Sequence, residues 1–242
     1  MLPRTRSRSS AVGAAMALAL TLTACGDDST GSSTSSPAAT NAVALVPKAG
    51  ACAKPPSAPT SAQTFEKAPD KSRAAGKTFT GTIHTNCGDI VVDLYGDKAP
   101  QTVASFMQLA EKAYWKDSPC HRLTTSGIYV LQCGSPMGTP NGNPGYGYGV
   151  ENAPEDSAYP GGTLAMARTS DPNSNGGQFF IVYDDTVIDD PTGVGYSIFG
   201  RVTKGMDIVA KIAKAGVDGG GQEGPPAQPI SILSVAVTEK KA

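Results

Sequence analysis

Phe79, Gly81 and Ile83 fall on alternate positions, Ile90, Val92 and Leu94 do the same, and the turn residues Asn86, Gly88 and Asp89 lie between the two sets. A period of two puts every second side chain on one face of an extended chain, so "KTFTGTIHTNCGDIVVDLY" reads as a β-hairpin. Short strand candidates continue in "CHRLTT", "YVLQCG", "GTLAMAR", "GQFFIVY", "YSIFGRV" and "ISILSVAV". Only two segments carry helical spacing. In "APQTVASFMQLAEKAYW", Val103, Phe106, Met107, Ala110, Ala113 and Tyr114 share a face and Pro100 suits a first turn. In "GMDIVAKIAKAG", Met206, Val209, Ile212 and Ala213 do so, and Gly216 suits the stop. About eight strands, two helices, no repeats and many glycine-rich turns describe a mainly β chain folded as an antiparallel barrel.

The stretch before residue 77 is too polar and too simple to build a core. "MLPRTRSRSS" carries Arg4, Arg6 and Arg8 without an acid, and "AVGAAMALALTL" follows, which is the pattern of a secretory signal too short to span a bilayer. It ends in "LTAC", Leu22 to Cys25, which resembles the lipobox of bacterial lipoproteins, where cleavage precedes the Cys and the thiol receives a diacylglycerol. The expected organisation is a signal peptide over 1–24, a flexible Ser/Thr/Ala/Pro-rich tether over 25–76 and a folded domain over 77–242, with Cys25 lipidated. Two or more acyl chains on one Cys make attachment to a membrane stable. A coil of some 50 residues spans roughly 40 Å.

Removing residues 1–24 takes three arginines from a balance of 20 basic and 21 acidic residues and leaves a mildly acidic chain. No basic run remains, which argues against nucleic acid as a partner. With Cys25 spent on lipid, Cys52, Cys87, Cys120 and Cys133 are left, an even number in an oxidising compartment. Two disulfides are expected, and three pairings are open.

The order and content of "VDLYGDKAPQTVASFMQLAEKAYW", "HRL", "YVLQCG", "GTLAMAR", "NSNGGQFFIVY" and "SIFGRV" resemble the cyclophilins, which are peptidyl-prolyl cis-trans isomerases, over residues 77–237. The resemblance implies a closed eight-stranded barrel capped by two α-helices, with a substrate groove on its outer face. By position, Arg122 matches the family's catalytic arginine and Gln132 the glutamine that holds the substrate backbone. Tyr129 and Val130 fall where the family usually has Phe and Met, and Ala167 and Arg168 where it has Ala and Asn. Gln178 and Phe180 match "QFF", and Ile188 and Tyr196 fall where Leu and His are common. These eight are the implied substrate-binding residues. Departures are a longer Arg122-to-Gln132 spacing, a longer loop from Arg168 to Asn173 and the enlarged "DDPTGVGY" loop before Tyr196. The Trp that helps bind cyclosporin in sensitive members is missing, since the only Trp, Trp115, follows the first helix. Weak cyclosporin binding is expected.

These residue types suit the chemistry. Rotation about an X-Pro bond is opposed by about 18–20 kcal/mol because the amide loses its resonance. In the twisted amide the proline nitrogen gains a lone pair, so a fixed donor aimed at it favours the transition state. Arg122 offers permanent charge and a rigid fork of donors. Val130, Phe180 and Ile188 with the rings of Tyr129 and Tyr196 would form an apolar slot for the pyrrolidine ring.

Other readings of "CHRLTTSGIYVLQCG" are weaker. A structural zinc site needs closely spaced ligand pairs, and Cys120 and Cys133 lack that spacing, while His84 lies in another strand candidate. The two cysteines are instead expected to face each other across a hairpin as a disulfide, which would leave Cys52 with Cys87. "PGYGYG" and "NGGQ" lack the strand-glycine-helix context and lysine of a phosphate loop, and neither histidine follows a G-x-S-x-G elbow. No metal or cofactor is expected. The expectation is a monomeric, lipid-anchored, extracytoplasmic isomerase whose partners are proline-containing segments of exported proteins. Its rival is a non-catalytic proline-peptide binding or chaperone module on the same fold.

Overall fold

The structure is a computed structural model and describes residues 51–241. In chain order the strands are β1 (Thr78–Thr85), β2 (Gly88–Tyr95), β3 (Ser118–Pro119), β4 (Arg122–Thr124), β5 (Val130–Cys133), β6 (Ala158–Tyr159), β7 (Thr163–Met166), β8 (Phe179–Val182), β9 (Thr186–Val187), β10 (Ile198–Lys204), β11 (Glu223–Gly224) and β12 (Ser231–Glu239). Helix α1 (Pro100–Glu111) follows β2, and α2 (Met206–Ala215) follows β10.

The expected hairpin forms, with Phe79 opposite Leu94, Gly81 opposite Val92 and Ile83 opposite Ile90, all five apolar side chains at most 2% exposed. A Cβ on Gly81 would come within 2.9 Å of Val92 Cγ2, so the missing side chain lets Val92 fill the core. Val103, Phe106 and Leu109 of α1, and Val209 and Ile212 of α2, enter the same core. The stripe read for α1 is displaced: Leu109 is fully buried, Met107 and Ala110 are half-buried, and Ala113 and Tyr114 lie beyond the helix end. Ala113 has φ 51°, a left-handed position that breaks the helix after Lys112.

Ten strands form one antiparallel sheet in the order β11-β4-β5-β8-β7-β10-β2-β1-β12-β3, and β6 pairs with β9 in a separate ribbon. This corrects the closed eight-stranded barrel: the sheet curls, but its end strands β11 and β3 do not pair. The gap is bridged by chain continuity. Residues 118–124 leave one end of the sheet and enter the other, with Cys120 N donating to Ile230 O at 2.9 Å and His121 N to Gln132 O at 3.1 Å. The four unanticipated strands, β3, β6, β9 and β11, are two residues long, too short for alternation to mark them.

The signal segment and the part of the expected tether before residue 51, including Cys25, lie outside the described residues. The remainder is laid along the domain rather than free of it. Cys52 is bonded to Cys87, Ala53 N donates to Asn86 O at 2.7 Å, and Phe65 N donates to Pro144 O at 2.8 Å. The Phe65 ring lies 6.3 Å from that of Tyr114 and 6.5 Å from that of Tyr146. Asp70 caps a single turn at Lys71–Arg73, and Ala74 is fully buried. Isolated anchors of this kind carry no periodicity, so a Ser/Thr/Ala/Pro-rich composition hides them.

Candidate active site

Register builds the site. Arg122 opens β4 and lies opposite Gln132 of β5, Gln132 lies opposite Phe180 of β8, and Phe180 lies opposite Ala165 of β7. Directly opposed residues stand about 4.5–5.5 Å apart at Cβ, so Arg122, Gln132 and Phe180 form one cross-strand row. The lengthened spacing between Arg122 and Gln132 is absorbed at the hairpin tip, where Ser126 bridges Ile128 and Gly127 takes φ 75°. The row itself keeps its register.

Hydrogen bonds run along the row. Arg122 Nη1 donates to Gln132 Oε1 at 3.1 Å, and Gln132 Nε2 donates to Gln178 Oε1 at 3.0 Å. Gln178 Nε2 donates in turn to Pro140 O at 2.7 Å and Gly142 O at 3.0 Å. On the other side, Arg122 Nε donates to Glu223 Oε1 at 2.7 Å. This bond holds the Glu223 carboxyl below the usual carboxylate range, against a smaller upward push from partial burial, and the guanidinium charge adds to the lowering.

The row forms one wall of a groove of about 750 Å³. Its apolar side is a cluster separate from the main core, built on Val130, Ala165, Phe180, Val182, Ile188 and Tyr159, with Ile128, Ala167 and Tyr196 packed against it. Tyr196 stands edge-on to Phe180 at 5.8 Å, and its amide donates to Tyr159 Oη at 2.8 Å. Val130, Ala167, Phe180, Ile188 and Tyr196 all line the groove, together with Arg122, Gln132 and Gln178.

Arg168 also lines the groove, but its donors are turned to the protein. They reach Gly195 O at 3.0 and 3.1 Å, Thr169 O at 2.8 Å and Thr192 Oγ1 at 2.9 Å, and they ion-pair with Asp190. The two charged side chains are 1% and 4% exposed. The guanidinium lies 4.9 Å from the centre of the Tyr196 ring, so Arg168 fastens the enlarged loop beneath that ring.

Tyr129 is the one expected substrate contact that does not line the groove. Its ring packs edge-on against Tyr183 at 5.9 Å, and Ile128 takes the groove position. Three further residues escape the sequence reading: Glu223, Asp190 and Tyr159. An acid inside the loop that departs from the family pattern is a signal for Asp190, as a partner for Arg168. Glu223 sits in a Gly/Pro-rich run with no periodic neighbour to draw attention to it.

Both expected disulfides are present, Cys52–Cys87 and Cys120–Cys133. The second places its cysteines in the main core, on the opposite face of β5 from Gln132. Burial, and then the charge of Arg122, lower the His121 imidazole below its ordinary value. Among the described residues no three His, Cys, Asp or Glu side chains group closely enough to hold a metal ion.

The chain is thus a mainly β protein with a curled antiparallel sheet that carries an apolar groove bordered by an arginine and two glutamines. The family model described as "Cyclophilin type peptidyl-prolyl cis-trans isomerase/CLD" matches residues 80–237, and the chain belongs to that family. It is 44% identical over 164 residues to the "Probable peptidyl-prolyl cis-trans isomerase B" of Mycobacterium tuberculosis, covering 62% of this chain and 52% of that protein. It is 39% identical over 203 residues to the protein of the same name in Mycobacterium leprae, covering 76% and 65%. The chain thus spans about half the length of the M. tuberculosis relative. A crystal structure of a Cryptosporidium parvum cyclophilin type peptidyl-prolyl cis-trans isomerase, in the presence of the dipeptide ala-pro, superposes with a TM-score of 0.55 at 27% identity, covering 66% of this chain and 99% of that one.

Proposed function

We propose that this chain is a prolyl isomerase that speeds cis-trans exchange at X-Pro bonds, with Arg122 and Gln132 at the reacting amide. One observation carries the reading: Arg122 and Gln132 are hydrogen-bonded to each other in a single row with Phe180, at the edge of an apolar groove. A pyrrolidine ring has no donor and fits beside Phe180, Val130 and Ile188. Once seated, the ring is held while the acyl side of the amide turns. Gln132 and Gln178 can hold the flanking peptide group. A donor of Arg122 then meets the proline nitrogen, whose lone pair is available only when resonance is broken. Taking an exchange of tens of seconds to milliseconds needs about four decades, or about 5–6 kcal/mol of selective stabilisation. Membership of the family and the named isomerase relatives support the same activity.

The setting we propose is extracytoplasmic, with Cys25 lipidated and the clients exported proteins folding outside the membrane. The charged head, apolar run and "LTAC" support the anchor, and two disulfides are compatible with an oxidising compartment. Exchange spectroscopy on an Ala-Pro peptide tests the activity. Acceleration by the wild type that collapses in Arg122→Ala is the expected result, and no acceleration by the wild type would leave a peptide-binding module. Mass spectrometry of the N-terminal peptide tests the anchor by looking for acyl chains on Cys25.

A further inference from the structure

The sequence motifs that place Arg122 and Gln132 do not include Glu223, yet Glu223 makes the shortest contact to the arginine. It arrives from the loop after α2. Gly219 and Gly220 take φ 75° and 80°, a left-handed conformation that glycine adopts without steric cost, and the chain turns back on itself there. The return strand β11 then pairs with β4, Glu223 opposite Thr124 and Gly224 opposite Leu123. Asp218 N to Pro225 O and Thr125 N to Gln222 O, both 2.8 Å, fix the loop against the hairpin. The carboxylate is therefore delivered by a braced backbone, although its side chain is 62% exposed against 30% for Arg122.

Glu223 Oε1 takes the Nε proton at 2.7 Å and Gln132 Oε1 takes an Nη1 proton at 3.1 Å. Two of the three guanidinium nitrogens are thus tied, and Nη2 makes no hydrogen bond to the described residues. We propose that Glu223 is a positioning residue: it fixes the plane of the Arg122 guanidinium so that the remaining donors face the rotating amide. An arginine side chain has many rotamers, and a partner that orders it beforehand removes the entropy cost of ordering from the transition state. The lowered carboxyl leaves Glu223 ionised at neutral pH. The claim rests on the isomerase reading above, and it has a competitor in which Glu223 draws the arginine away from substrate.

Steady-state exchange of an Ala-Pro peptide by the full chain separates these, using Glu223→Ala, Glu223→Gln and Arg122→Ala beside the wild type. Glu223→Ala is expected to lower kcat about tenfold to a hundredfold with KM nearly unchanged, because the donor is misplaced rather than lost. Glu223→Gln, which still accepts from Nε, is expected to recover much of that loss. In parallel, the Arg122 Nε–Hε NMR signal, assigned by its disappearance in Arg122→Ala, is expected to be protected in the wild type and to vanish into solvent exchange in Glu223→Ala. Wild-type or raised kcat in Glu223→Ala, or an undisturbed Nε–Hε signal, overturns the proposal while leaving the isomerase reading intact. No acceleration by the wild type overturns the isomerase reading alone, and the Nε–Hε signal then still decides whether Glu223 holds the arginine. Activity that Arg122→Ala fails to reduce overturns the role of Arg122 and the positioning role of Glu223 with it.

Discussion

Gln132 stands opposite Arg122 in the β4–β5 register and bonds in two directions, accepting from Arg122 Nη1 at 3.1 Å and donating to Gln178 Oε1 at 3.0 Å. It is the joint between the arginine and the far wall of the groove. Removing the charged donor itself, in Arg122→Ala, is expected to lower kcat/KM by about 10²–10³, the usual effect of losing one donor aimed at a transition state. Arg122→Lys keeps charge but loses the fork, so it should restore little. Gln132→Ala leaves donors unpaired on Arg122 and an acceptor unpaired on Gln178, and a loss of about tenfold is expected, as from 1–3 kcal/mol for an unmade hydrogen bond. Peptide exchange rates check all three, and Arg122→Lys at wild-type rates would remove the need for a guanidinium.

Tyr196 supplies one side of the apolar slot, edge-on to Phe180 and stacked over Arg168. An aromatic pair is worth about 0.5–1.5 kcal/mol beyond its buried area, so Tyr196→Ala is expected to raise KM by about three- to tenfold. The Tyr196 hydroxyl makes no hydrogen bond to the described residues, so Tyr196→Phe should behave as the wild type. A large loss in Tyr196→Phe would mean that the hydroxyl, rather than the ring, meets the peptide.

Much of this site is legible from residue patterns alone. Alternation from Phe79 to Leu94 gives the hairpin and its register, and the segments holding Arg122, Gln132 and Phe180 lie on strands marked by their own apolar runs. Strand parity bears on the same wall: counting back by two from Gln132 through Val130 reaches Ile128, which lines the groove, whereas Tyr129 does not. Contacts between distant segments are less visible. Glu223 reaches Arg122 across 101 residues of sequence through a two-residue strand, too short to carry a pattern. Phe65 and Ala74 are single anchors in a low-complexity stretch, and the gap between β3 and β11 depends on where one run of chain changes partners.

Trp115 is 2% exposed and donates from Nε1 to Gly177 O at 2.9 Å and Gly134 O at 3.2 Å, which fixes it in the main core beneath the sheet. It cannot swing to the groove without leaving those carbonyls unpaired in an apolar environment, at a cost of about 1–3 kcal/mol for each buried group. The groove therefore has no indole to offer cyclosporin, and inhibition of peptide exchange in the micromolar range or tighter is not expected. A titration of cyclosporin against the exchange rate checks this, and a micromolar or tighter midpoint would overturn it.

Asp190 ties the enlarged loop to Arg168. Burial pushes its carboxyl up, but the hydroxyl and amide of Thr192, the amide of Gly195 and the Arg168 charge outweigh burial and hold it well below the usual range. A carboxyl lowered in the folded state contributes its full stability above the unfolded value of about 3.9, and loses it as pH falls through the folded value. Asp190→Asn leaves the buried Arg168 charge unpaired at neutral pH, where a loss of about 3–5 kcal/mol is expected. The gap between wild type and variant should stay constant from neutral pH to about pH 5 and narrow below about pH 4, as the unfolded wild type takes up the proton. Urea unfolding across that range measures the gap directly. Because the same ion pair underlies Tyr196, Asp190→Asn should also raise KM for the peptide more than it lowers kcat. A variant with wild-type stability at neutral pH would mean that the hydrogen bonds of the loop hold Arg168 without the charge.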